Sequence, residues 1–197
     1  MHRRNLLLGA GALTLCFAPG AWAVTPAEDF VSGSIRAGFD ILNDQASSPA
    51  ERRQHFAAFL LGLTDVKRVA LFLLGRYRAA AAPADLDAYI VAYQDYVMAL
   101  YQSYFARYAG QSLHVTASRA RAPGDVIVTT NMVGANTAPM EIDFRVRTDG
   151  AKPVLVDLAV SGVWLALAQR DEFLSVLAQN NGDIKALSTH LRAAQAR

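Results

Sequence analysis

The chain has 197 residues, with 19 Lys and Arg against 17 Asp and Glu and a single cysteine, Cys16. That length suits one domain with a substantial core and excludes two large ones. The near balance of charge argues against a nucleic-acid binder or a polybasic membrane-surface protein, both of which carry a basic excess, and one cysteine excludes an internal disulfide framework.

The first residues read as an export signal. Arg3 and Arg4 form a charged n-region, 6–18 is apolar, Pro19 and Gly20 break any helix, and Ala21-Trp22-Ala23 is an A-x-A cleavage site. The apolar run is too short for a convincing membrane span. The twin arginines are compatible with Tat as well as Sec export. Leu15 stands where a lipoprotein site needs a small residue before the cysteine, so lipidation of Cys16 is not expected. Residues 1–23 are thus the expected signal peptide and 24–197 the mature domain. Without Arg3 and Arg4 the basic and acidic residues are equal at 17, and no cysteine remains.

Two helix starts follow, written alike. Thr25-Pro26-Ala27-Glu28 and Ser48-Pro49-Ala50-Glu51 each supply a hydroxyl cap, Pro at the first helical position and Glu at the third, which is a capping box. The first helix carries Ala27, Phe30, Val31, Ile35, Phe39 and Leu42 at helical spacing; the second carries Phe56, Phe59, Leu60 and Leu63. A third helix starts at Asp65, runs through Val66, Val69, Ala70, Leu73 and Leu74, and stops at Gly75. After a small-residue spacer interrupted by Pro83, Asp85 opens the longest helix. It reaches about Tyr108, a length of about 35 Å at 1.5 Å per residue. Asp87, Gln94, Asp95 and Gln102 make it a poor membrane span.

The periodicity changes after Gly110. Leu113, Val115 and Ala117 alternate with polar residues, Ala122-Pro123-Gly124-Asp125 is a turn, and Val126 to Val133 is a β-branched run. Gly134 to Pro139 reads as a loop. Met140, Ile142, Phe144 and Val146 alternate with Glu141, Asp143, Arg145 and Arg147, which predicts a strand with one dry and one wet face. Asp149-Gly150 marks a hairpin turn, and Val154, Val156, Leu158 and Val160 a fourth strand. A helix is expected from Val163 to Gln179, and Asp183 caps a last short one. The predicted fold is α+β: helices packed on one face of a curled four-stranded antiparallel sheet that encloses an apolar pocket.

Few residues suggest chemistry. His55, His114 and His190 lack metal-ligand spacing, and the mature chain has no nucleophile motif and no phosphate loop. No metal or cofactor is expected. Asp157, among apolar residues with Asp143 on the neighbouring strand, is a candidate general base in a small isomerase-like α+β enzyme, though no second acid-base partner is visible. An envelope interaction module with a closed core is a further alternative. The informative excess is apolar and aromatic. The long helix holds Tyr89, Tyr93, Tyr96, Val97, Tyr101, Tyr104 and Tyr108, and tyrosine suits a boundary that is wet at one end. This helix, set against Val128, Met132, Ile142, Phe144 and Val160, could leave an acyl-sized gap.

Several segments resemble the MlaC (toluene-tolerance) family. Phe56, Phe59, Asp65, Val69 and Leu74-Gly75-Arg76-Tyr77-Arg78 are similar to its phenylalanine helix, its aspartate and its L-G-x-x-W-R segment. The stretch from Val154 to Val163, with Asp157 and Gly162, resembles its W-k-V-y-D-v-x-v-e-G-v-S motif, and Leu165, Arg170 and Phe173 follow as in its L-v-x-x-y-R-x-q-F. The family tryptophan falls on Pro153, its serine on Trp164, and the acidic residue before its glycine on Ser161. The resemblance implies a periplasmic carrier of phospholipid, or of a hopanoid-type lipid as in one branch of the family. Its partners would be an outer-membrane lipoprotein complex and an inner-membrane ABC transporter complex. Periodicity and the resemblance together give as candidate lipid contacts Phe56, Phe59, Val69, Leu73, Tyr93, Val97, Tyr101, Tyr104, Val128, Met132, Ile142, Phe144, Val160, Trp164 and Leu165. Arg76 and Arg170 could meet a headgroup, but pairing with Asp65 or Asp157 is the favoured expectation.

Overall fold

A computed structural model of the chain describes residues 25–105, 110–134 and 137–195. The expected signal segment, Tyr108 and the side chain of Tyr104 lie outside the described residues. Helices α1 (Pro26–Leu42) and α2 (Pro49–Gly62) begin at the two capping boxes. In the first, the Thr25 N–H donates to Glu28 Oε2 at 2.7 Å and the Glu28 N–H donates to Thr25 Oγ1 at 3.2 Å. The Glu28 carboxylate also accepts from the Ser118 hydroxyl at 2.5 Å, so the cap ties α1 to the sheet. These donors, Ser118 foremost, hold the Glu28 carboxyl below its ordinary range.

Asp65 caps α3 (Val66–Leu73), its Oδ1 accepting from the Arg68 N–H at 2.9 Å. The chain leaves α3 through Gly75, whose φ of +51° suits glycine, and enters a 3-10 turn over Gly75–Ala80. Helix α4 (Pro83–Phe105) begins two residues before the expected Asp85, because Pro83 takes the first helical position. Strands β1 (Ser112–Ala122), β2 (Asp125–Gly134), β3 (Thr137–Arg147) and β4 (Val154–Val160) form an antiparallel meander. The expected loop at 134–139 is mostly strand, with Gly134 opposite Thr137.

The segment after β4 departs from expectation. Val163 does not begin a helix. Val163–Trp164 form a fifth strand, β5, with Ala159 opposite Trp164 and Val160 opposite Val163. Ser161 (φ 49°) and Gly162 (φ 81°) make the two-residue turn, and positive φ at both positions matches the twist of the flanking strands. The sheet is therefore five-stranded, open, in the order β1-β2-β3-β4-β5. Helix α5 (Leu165–Gln179) follows at once, and α6 (Ile184–Gln195) is reached through Asn181 and Gly182, both at positive φ.

Two buried clusters hold the fold. In one, Ala27 and Val31 of α1 meet Val128 and Val146 of the sheet, with Phe30, Ile35, Val115, Val126 and Phe144 around them. The other is the helical core, where Leu73, Leu74, Tyr89, Phe173, Leu177, Leu187 and Leu191 are fully buried. Tyr93 and Tyr96 set their rings edge-on to Phe173 at 6.2 and 6.4 Å, and the Tyr89 hydroxyl donates to the Ala70 carbonyl at 3.1 Å. Much of the tyrosine stripe is thus ordinary core. The two halves join at β4: the Leu155 N–H donates to the Leu63 carbonyl, and the Thr64 hydroxyl donates to the Leu155 carbonyl at 2.7 Å. No helix among the described residues is long and apolar enough to cross a membrane.

Candidate functional site

Strand register decides what faces the site. Ser118, Val128, Phe144 and Leu158 stand opposite one another across four strands, and α1 covers the Val128 and Phe144 part of that face. One residue along, Arg119, Ile127, Arg145 and Asp157 form the corresponding row on the other face. This second row, α3 and α5 enclose an open cleft of about 590 Å³. Such a volume lies within the roughly 300–1,000 Å³ usual for small-molecule sites. Its floor is apolar, with Val69, Ile127, Leu155, Val156 and Trp164. Phe72 and Leu167 at its margin are 44% and 49% exposed, apolar surface left open to solvent. A smaller cavity of about 80 Å³ lies between β4, α4 and α5. Val69, Leu155, Val156, Asp157 and Ala166 line both cavities and so form the partition between them.

A β-bulge builds that partition. Arg145 pairs with Asp157 and Val146 with Leu155, so Val156 has no partner in β3. The bulge breaks strict alternation, and three successive residues can line the cavities instead of every second one.

The rim is rich in arginine. Arg68, Arg119, Arg121, Arg145, Arg147 and Arg170 line the cleft, against Asp65 and Asp157. Asp125, only 4% exposed, takes a two-pronged contact from Arg145 at 2.9 and 2.7 Å. That hydrogen-bonded guanidinium holds the Asp125 carboxyl below its ordinary range. Arg121 reaches the same carboxylate at 3.4 Å, Arg119 approaches Asp143 at 3.9 Å, and Arg147 pairs with Asp149. Arg170 lies over the Phe72 ring, 4.8 Å from its centroid, and its buried Nε has no hydrogen-bond partner. A Cβ on Gly75 would stand 3.2 Å from an Arg170 terminal nitrogen, so the glycine leaves room for this arginine. The expected pairings with Asp65 or Asp157 are not formed by either Arg170 or Arg76. Arg76 instead packs on Tyr77 at 5.0 Å and donates to its hydroxyl at 3.1 Å.

Asp157 has a structural occupation. Its Oδ1 accepts the N–H groups of Leu158 at 2.8 Å and Ala166 at 3.0 Å, which joins β4 to the first turn of α5. Burial raises its pKa, against the opposing pull of those donors and of Arg145. The nearby Tyr93 hydroxyl, also raised by burial, donates to Gln169 at 3.3 Å. Among the described residues no group of three or more His, Cys, Asp or Glu could hold a metal.

Six of the pocket residues inferred from sequence line the cavities. Val69 and Trp164 line the large one; Val69, Tyr93, Val97, Tyr101 and Leu165 line the small one. Apart from Tyr104, whose side chain lies outside the described residues, the others sit elsewhere. Leu73 is in the helical core, Val128 and Phe144 are under α1, and Phe56 and Phe59 pack near Gly38 of α1. Met132, Ile142 and Val160 are half-buried on the sheet, away from both cavity walls. Sequence reasoning missed Phe72, Ile127 and Leu155 and every rim arginine except Arg170, which it named as a possible headgroup contact. The alternation of Arg145 and Arg147 was visible, but it reads as a solvated face.

No curated protein matches the chain. Among solved structures, it is similar to the phospholipid-binding protein from Ralstonia solanacearum, determined in complex with a phospholipid. The identity is 20% and the TM-score 0.69, covering 88% of this chain and 97% of that one, a likeness of fold. The family model described as MlaC protein matches residues 34–193. With most of its length matched in this way, the chain belongs to the MlaC family.

Proposed function

We propose that this protein binds a phospholipid in the cleft between the sheet, α3 and α5 and carries it through the periplasm. The acyl chains would lie against Val69, Phe72, Leu155 and Trp164 and reach past the partition toward Val97 and Tyr101, with the headgroup at the arginine rim. The observation that carries this reading is the pairing of an apolar floor with an arginine-rich, open mouth in one cleft of about 590 Å³. The fold of a protein solved with a phospholipid bound supports it. Burial of each methylene contributes about 0.8 kcal/mol, so acyl chains supply the affinity and no covalent chemistry is required.

In this reading residues 1–23 direct export and are removed. The carrier then exchanges lipid with an outer-membrane lipoprotein complex and an inner-membrane ABC transporter complex. Transfer needs partners that bind one loaded state better than the other, because a ligand shifts an equilibrium only by its differential affinity.

The test is to purify the chain from Val24 onward after export in its own host, extract it with organic solvent and identify the lipids by mass spectrometry. One stoichiometric phospholipid is the expected result, and a stoichiometric hopanoid would keep the carrier and change the cargo. A lipid-free protein of normal stability would overturn the reading.

A further inference from the structure

Charge around the cleft is not evenly matched. Arg119, Arg121, Arg145 and Arg147 have carboxylate partners within 4.0 Å, whereas Arg68 and Arg170 have none among the described residues. Arg68 stands four residues before Phe72 on α3, so the two are neighbours on one helix face. Arg170 reaches the same phenylalanine from α5 and lies over its ring. Two guanidinium groups without a direct ion pair, Arg68 meeting Asp149 only as a longer-range charge, therefore flank one aromatic side chain at the margin of the cleft. The two carboxylates of the cleft lining do not answer them: Asp65 accepts the Arg68 backbone N–H, and Asp157 accepts those of Leu158 and Ala166. The buried, unpartnered Nε of Arg170 is a donor without an acceptor, and such groups are rare in folded proteins.

We infer that Arg68 and Arg170 form a phosphodiester-binding clamp that selects lipids whose headgroup carries net negative charge. Guanidinium forks match phosphate oxygens in geometry, and Phe72 beneath Arg170 limits its freedom before binding. A headgroup with a balancing ammonium offers the same phosphodiester, but its tethered cation is repelled by the two arginines and weakens the contact. The inference rests on the lipid-binding reading and adds which lipids are preferred.

The experiment offers delipidated mature protein an equimolar mixture of phosphatidylglycerol and phosphatidylcholine with matched acyl chains, read by native mass spectrometry. At partly exposed charges the expected preference for phosphatidylglycerol is about fivefold. In the double variant Arg68→Gln/Arg170→Gln the ratio should fall to about one, while Arg36→Gln, an exposed arginine on α1, keeps the wild-type ratio. Wild-type protein that loads both lipids equally overturns the clamp while leaving the carrier standing. Protein that loads neither overturns the carrier and the clamp together. Inorganic phosphate retained by the lipid-free protein, together with equal loading of the two lipids, would assign the arginines to free phosphate and overturn the headgroup role. If the double variant fails to fold, Arg68→Gln alone, at an exposed position, should lower the ratio, and a ratio left at the wild-type value would overturn the clamp.

Discussion

Aspartate at position 69 and alanine at position 128 would act on opposite faces of the sheet, and their effects should separate. Val69 is half-buried on the partition between the two cavities, so Val69→Asp sets a carboxylate where an acyl chain would lie. The effective penalty for burying a charge is several kcal/mol; if about 3 kcal/mol survives after the side chain turns toward solvent, affinity falls about 100-fold. Val128 is fully buried under α1 against Ala27, Val31 and Val146. Val128→Ala removes two methyl groups at about 0.8 kcal/mol each and leaves a cavity, for a stability loss of about 2–3 kcal/mol. Urea unfolding of both variants, with native mass spectrometry of the lipid retained after export, reads the two effects independently. Val69→Asp should fold and lose its lipid; Val128→Ala should unfold earlier and keep it. A Val69→Asp protein that retains lipid at the wild-type level, beside a folded Val128→Ala that has lost it, would refute the cleft as the binding site and restore the α1-covered face.

Two further outcomes follow from local geometry. Asp157→Ala should cost about 1–3 kcal/mol, because the Ala166 N–H loses its acceptor, and Asp157→Asn should cost less because its amide oxygen can take over. The same position predicts a pH effect. Burial raises the Asp157 pKa above the ordinary 3.8, so the folded state holds that proton more tightly, and the resulting stability, present below the unfolded value, is lost as pH rises through the folded one. Asp157→Asn should remove this falling limb, and urea midpoints measured from pH 3 upward with the wild-type slope intact would contradict it. Ser161→Gly should raise stability by about 0.5–1 kcal/mol, since it relieves a positive φ at some cost in unfolded-chain entropy; an unchanged or lower thermal midpoint would count against strain in that turn.

Much of the fold was legible because its signals are local. The capping boxes at Thr25 and Ser48 name their own helix starts, and the alternation from Met140 to Val146 names a strand. β5 was not legible. Two residues carry no periodicity, and Val163 continues into an apolar run that reads as helix. Tertiary pairing with Val160 and the positive φ values at 161 and 162 decide the matter instead. The sheet likewise shows from sequence which residues share a face, but not which helix covers it. Val128 and Phe144 read equally well as pocket lining or as core, and α1 made them core.

The same indeterminacy explains the arginine rim. Arg119, Arg145 and Arg147 occupy outward positions in their own strands and look like a solvated surface one strand at a time. They become the wall of a site because register sets Arg119, Ile127, Arg145 and Asp157 in one row and a bulge at Val156 brings the end of that row against α3 and α5. Neither register nor bulge is written in a local pattern; both depend on pairings between segments far apart in the chain. A cleft assembled this way draws its apolar floor and its charged mouth from the sheet and from α3 and α5 together. With α1 on the opposite face, this face sets apolar side chains and arginines in one cleft, which is the surface that the proposed ligand, oily along its length and ionic at one end, would meet.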